Sequence, residues 1–172
     1  MTFQTLIRLL ADGAVIPVAL LAGYALLFRV PKGGRFQAYS RVLMAGLTAY
    51  LIAKLIGSIY QPAYERPFEL LGVQAGASYL NNPGFPSDHA LFTTFLTFAV
   101  WFETRWRAGV VVMAVLTLLV CIGRVLALVH TPLDVIGGVV IAALGALWYI
   151  NAKKPATARK KTSKQSTIGS KG

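Results

Sequence analysis

The chain has 172 residues, 56% of them hydrophobic and only 13% charged, and its mean hydropathy is +0.62. That excludes an ordinary soluble domain, which carries far more charge on its surface, and makes lipid the expected solvent. The net charge of +11 would suit a nucleic-acid binder, but the excess lies in a tail and in short loops beside apolar runs. Membrane topology accounts for that placement, so nucleic acid is excluded as a partner.

Five membrane spans are predicted, making an all-α integral-membrane helical bundle. The first covers residues 4–28. Arg8 precedes its apolar run as in a signal peptide, but it lacks a clear small-x-small cleavage site and ends on Arg29, so it is read as a retained span. The second covers 39–60, the third 87–102, the fourth 108–129 and the fifth 132–150. A bilayer core takes about 20 helical residues. The third span falls short of that, so its polar start is expected near the interface. Trp148 and Tyr149 close the fifth span as interfacial aromatics do.

Positive charge orients the bundle. Arg29, Lys32, Arg35 and Arg41 follow span one, Arg105 and Arg107 follow span three, and seven Lys or Arg without an acid fill Lys153 to Gly172. With five spans all three segments fall on one side, the cytoplasmic one. The N-terminus, the 61–86 loop and the turn at His130 then lie outside. No repeat or second domain is visible. Residues 1–152 form one membrane domain, and residues 153–172 a basic cytoplasmic tail expected to be disordered. The single cysteine, Cys121, cannot form an intrachain disulfide. No CxxC or HExxH pattern occurs and there are two histidines, so a dedicated metal site is not expected.

Ionisable residues in or beside spans are costly and tend to face a bundle interior. Here they are Lys54, Arg66, Asp88, His89, Arg124, His130 and Asp134. Apart from Lys54 and Arg124, they gather at the outer ends of spans two to five. Each has a plain structural reading. Ser87 suits an N-cap with Asp88 in the first turn. Thr131-Pro132-Leu133-Asp134 suits a cap with proline at N1 and an acid at N3. Arg124 is harder to explain this way, because an unpaired arginine inside a span costs roughly 2.5–3.5 kcal/mol on insertion scales. Arg124 and His130 would point about 120° apart on an unbroken helix. Pro132 predicts that the helix ends near His130, freeing that ring to turn toward Arg124, with Asp134 in reach of a ring nitrogen. The start of span three is also a ready anion site. Arg66 and Arg124 would add bidentate donors to phosphate oxygens, and His89 stands where a proton could reach a departing oxygen.

These residues resemble the type 2 phosphatidic acid phosphatase (PAP2) family, whose pattern runs K-x6-R-P, then P-S-G-H, then S-R-x5-H-x3-D. Here the third part reads Gly123-Arg124, His130 and Asp134, differing only in its leading serine. The second reads Pro86-Ser87-Asp88-His89, with aspartate for glycine. The first keeps Arg66-Pro67 but has Ile59 where the lysine belongs, the nearest upstream lysine being Lys54. The resemblance implies that His130 is the nucleophile, oriented by Asp134, and that His89 is the general acid. It also implies that Arg66 and Arg124 hold phosphate oxygens with help from Ser87, and that no metal or other cofactor is needed. Asp88 beside the substrate would either hold His89 protonated or serve only as a cap. Lys54 would reach the site only by snorkelling up from about 10 Å deeper in span two.

FPSDHA and RPF look most like the bacterial undecaprenyl-diphosphate phosphatases of that family. The expected function is hydrolysis of undecaprenyl diphosphate to the monophosphate through a phosphohistidine, for cell-wall synthesis. The site would lie on the outer face of a bacterial inner membrane, and the substrate would be a lipid phosphate with its tail in the bilayer. The alternatives are a phosphatase for phosphatidic acid or phosphatidylglycerol phosphate, and a non-catalytic lipid-phosphate binder.

Overall fold

The computed structural model describes residues 2–62, 65–80 and 84–150, and every element in them is helical. The expected tail at 153–172, and its junction with the membrane domain, lie outside the described residues. Helix α1 runs Phe3–Phe28, α2 Arg35–Ile59, α3 Pro67–Leu70, α4 Asp88–Glu103, α5 Arg107–Leu126, α6 Pro132–Gly145 and α7 Leu147–Ile150. The five predicted spans correspond to α1, α2, α4, α5 and the α6–α7 pair. Four of these are long and apolar enough to cross a membrane. The exception is α4, whose 16 residues extend about 24 Å against a hydrocarbon core of about 30 Å.

Packing explains the short helix. Helix α4 is the centre of the bundle and touches α1, α2, α5 and α6. Protein rather than lipid meets its polar ends, so Ser87 at the start and Thr104 at the finish are both buried. Its inward face carries Thr93, Thr94 and Thr97. Thr97 meets Thr117 of α5 at 3.1 Å and bonds the Thr93 carbonyl at 2.8 Å.

The peripheral helices turn the soluble pattern inside out. In α2 the buried residues include Ala45, Ala49 and Ala53, while Leu43, Leu47, Leu51 and Leu55 face outward. Lipid solvates leucine well, so small residues go to the contacts where backbones must approach closely.

Several boundaries differ from the sequence expectation. Helix α5 stops at Leu126 rather than near His130, because Leu128 takes a left-handed conformation (φ 60°) that no α-helix can continue through. Arg124 therefore sits in the last turn, where the carbonyl end of the helix favours a cation. Helix α2 begins at Arg35 instead of residue 39. Helix α1 contains an unpredicted π turn at Leu9–Gly13, closed by Ala14 N–H donating to the Leu9 carbonyl at 2.9 Å. Pro17 lies just beyond it. Proline has no N–H for the carbonyl four residues back and crowds it, which loosens the ladder at that turn.

At the end of the bundle away from the histidines, Arg41 of α2 grips Glu103 of α4 with two bonds, Nε at 2.7 Å and Nη2 at 2.6 Å. The sequence marked Arg41 only as a topology charge and did not mark Glu103.

Candidate active site

Three chain segments meet at the opposite end of the bundle, and the local sequence explains each. Ser87 caps α4, its hydroxyl accepting from Ala90 N–H at 3.5 Å. Thr131 caps α6 as expected: its hydroxyl accepts from Asp134 N–H at 3.2 Å, and Asp134 Oδ2 accepts from Thr131 N–H at 2.7 Å. Pro132 stands at N1. The two capped starts are bound together by Ser87 N–H donating to the Asp134 carbonyl at 2.9 Å. Gly138 permits this contact, since a Cβ there would lie 2.6 Å from the Ser87 carbonyl oxygen.

Arg66, Asp88, His89, Arg124 and His130 line one cavity of about 250 Å3, with Ser78, Tyr79, Leu80, Gly84 and Pro86 completing it. Asp134 stands behind His130, its Oδ2 at 3.5 Å from Nδ1, which leaves Nε2 as the nitrogen open to chemistry. The distance exceeds a good hydrogen bond. Burial pushes the His130 imidazole below its usual pKa. Asp134 acts against that shift, and the Arg124 and Arg66 guanidiniums add to it. The ring is thus biased toward its neutral, nucleophilic form.

Both arginines are held from behind. Arg66 Nη1 donates to the Val129 carbonyl at 2.6 Å and Nη2 to the Leu80 carbonyl at 3.2 Å, with the guanidinium 5.5 Å from the centre of the Tyr79 ring. Arg124 is 1% exposed. Its Nη1 donates to the Ser78 carbonyl and to Asp12 Oδ1, each at 2.8 Å.

Two expected phosphate-binding residues stand elsewhere. Ser87 has no exposed surface and does not line the cavity; its hydroxyl and amide serve the two helix starts. Lys54 lies beside the cavity rather than in it, 3.5 Å from Asp88 in a groove with Gln61 and Phe85. Asp88 and Pro86 border both spaces. The lysine does reach up to the end of the bundle that holds the cavity, and Asp88 faces it.

The sequence reading missed Asp12. It comes from α1, pairs with Arg124, accepts Ser78 N–H at 2.9 Å and lies 3.8 Å from His89 Nε2. The available signal was a carboxylate in the middle of an apolar run.

Residues 37–157 match the family described as the PAP2 superfamily. Among known proteins the chain is similar to sphingosine-1-phosphate phosphatase 2 of Homo sapiens, 40% identical over 67 residues, and to its Mus musculus counterpart, 36% identical over the same length. Each match covers 36% of this chain, and the chain spans only 17% and 19% of those relatives' lengths. No solved structure matches the chain significantly.

Proposed function

The chain belongs to the PAP2 superfamily, and from that premise we propose that it is a membrane-embedded lipid phosphatase working through a phosphohistidine. The observation that carries this reading is the meeting of two imidazoles and two guanidiniums, His89, His130, Arg66 and Arg124, around one cavity. Phosphoryl transfer asks little of a protein beyond positioning and charge neutralisation, and these groups supply both. Arg66 and Arg124 neutralise the non-bridging oxygens. His130 Nε2 attacks phosphorus while the P–O bond to the lipid product breaks, and the departing oxygen takes a proton from His89. Water then attacks the phosphohistidine, returns a proton to His89 and releases inorganic phosphate. Asp134 orients His130 and stabilises the charge that develops on it.

The preferred substrate is undecaprenyl diphosphate. The FPSDHA and RPF segments favour it, and so does Lys54 in the groove that shares Asp88 and Pro86 with the cavity, because a diphosphate presents a second anion beyond the one attacked. A long-chain lipid monophosphate is the second reading, favoured by the sphingosine-1-phosphate phosphatases among the similar proteins. Phosphatidic acid and phosphatidylglycerol phosphate fall under the same chemistry. Positive charge at the far end of the bundle supports a site on the face away from the cytoplasm, which in a bacterial inner membrane is the periplasmic one.

The test is phosphate release by the purified protein from undecaprenyl diphosphate, sphingosine 1-phosphate and phosphatidic acid, with orthovanadate and EDTA arms. Release from the diphosphate should be fastest, vanadate should inhibit, and EDTA should leave the rate unchanged. Faster release from either monophosphate would overturn the substrate assignment. Binding without release from any of them would make the protein a non-catalytic lipid-phosphate binder.

A further inference from the structure

We propose that Asp12 is a positioning residue for the two groups that handle the phosphate: one carboxylate oxygen aims Arg124 and faces the Nε2 edge of His89. The proposal rests on the reading of His89 as the proton donor. It concerns a residue outside the 37–157 segment matched by the family.

The geometry is a closed ring. Asp12 Oδ1 is 2.8 Å from Arg124 Nη1 and 3.8 Å from His89 Nε2, and Oδ2 accepts Ser78 N–H at 2.9 Å. The Ser78 carbonyl returns to Arg124 Nη1 at 2.8 Å. A buried guanidinium needs an anion when no phosphate is bound, and Asp12 provides it. Asp12 does not itself line the cavity, so it can keep its place when the substrate arrives.

Two local features put it there. The π turn at Leu9–Gly13 offsets the helix face by about one residue, or about 100°. Gly123 completes the approach, since a Cβ there would lie 2.6 Å from the Ala11 nitrogen and 2.9 Å from the Leu10 carbonyl carbon. Gly123 is also the position where the resembled pattern has serine. Where that pattern places a hydroxyl beside Arg124, this chain places the Asp12 carboxylate.

The charged and titratable groups facing His89 are Asp12 from α1, Arg124 from α5, His130 from the turn before α6, and Asp88 from its own helix. Asp88 is occupied by Lys54 at 3.5 Å. Of the two carboxylates facing His89, Asp12 acts on the ring more strongly than Asp88, against burial and the opposing fields of Arg124 and His130. In the cycle the proton moves from His89 to the leaving oxygen and back from water.

The chain has two histidines, so 15N-histidine labelling of the full chain in lipid nanodiscs gives two ring spectra, assigned with His130→Ala. In Asp12→Asn the titration midpoint of His89 should fall by about one pH unit or more, and the alkaline limb of kcat should move the same way. Asp12→Glu should keep most of the wild-type midpoint. Gly123→Ala, which displaces the π turn without altering a charge, should act as Asp12→Asn does, and is read in its place if that variant does not fold. An unmoved His89 midpoint in the folded variant overturns the proposal and leaves the phosphatase reading intact. Failure of that reading would show separately, as undiminished phosphate release by His130→Ala.

Discussion

Gly138→Ala tests how tightly the site depends on the two helix starts. The new Cβ would sit 2.6 Å from the Ser87 carbonyl oxygen, 3.0 Å from the Leu91 nitrogen and 3.2 Å from the Ala90 Cβ. Two of those neighbours are backbone of α4 and cannot rotate away. The starts of α4 and α6 must separate by about half an ångström, at an overpacking cost of about 1–3 kcal/mol. That separation strains the Ser87–Asp134 backbone bond and moves His89 away from His130. A misplacement of about 1 Å can cost about 100-fold in rate, so half that should lower kcat about 10-fold. The assay pairs kcat for lipid phosphate hydrolysis with a thermal melt in the same detergent. Wild-type kcat together with a wild-type melt would refute the idea that this contact sets the distance between the two rings.

Other perturbations separate the groups of the site from those of the frame. Arg124→Lys keeps the charge but loses the Nη1 group that donates to both Asp12 and Ser78. Loss of one charge-assisted bond, about 1.5–3 kcal/mol, should lower kcat/KM about 10- to 100-fold, measured by initial rates. Arg41→Ala leaves Glu103, whose side chain is 6% exposed, without its partner. That should cost about 3–5 kcal/mol of stability, read as a lowered melting temperature, while kcat of the protein that remains folded stays unchanged at the far end. Burial keeps His130 below its usual pKa, so the acid limb of kcat/KM that it controls lies at lower pH than an ordinary imidazole would set. Asp134→Asn removes a group that raises this pKa. The variant should shift the limb further toward acid and lower kcat about 10- to 100-fold, as a pH–rate profile will show.

Much of the site was legible because its parts are local. Ser87 as a cap and Thr131, Pro132 and Asp134 as a capping box follow from short-range hydrogen bonding, and each formed as the residue order implied. The spacing from Arg124 to His130 to Asp134 survived a misplaced helix end, because the early stop at Leu126 only loosens the turn that carries His130. The unread features depend on contacts across the bundle. The π turn that delivers Asp12 depends on Pro17 and on the space left by Gly123, more than 100 residues away in sequence. The pairing of Arg41 with Glu103 depends on the neighbouring of α2 and α4. The brevity of α4 could be read, but its cause, a helix enclosed by protein, emerges only from the packing.

The central claim is that His130 carries the phosphoryl group, and the direct measurement is covalent trapping. Protein turning over 32P-labelled undecaprenyl diphosphate is quenched in alkali, digested and mapped for acid-labile label. The account predicts label on the peptide containing His130, none in His130→Ala, and its persistence in His89→Ala. A wild-type protein that releases phosphate with no label on His130, or a His130→Ala variant that is labelled and active, would contradict it.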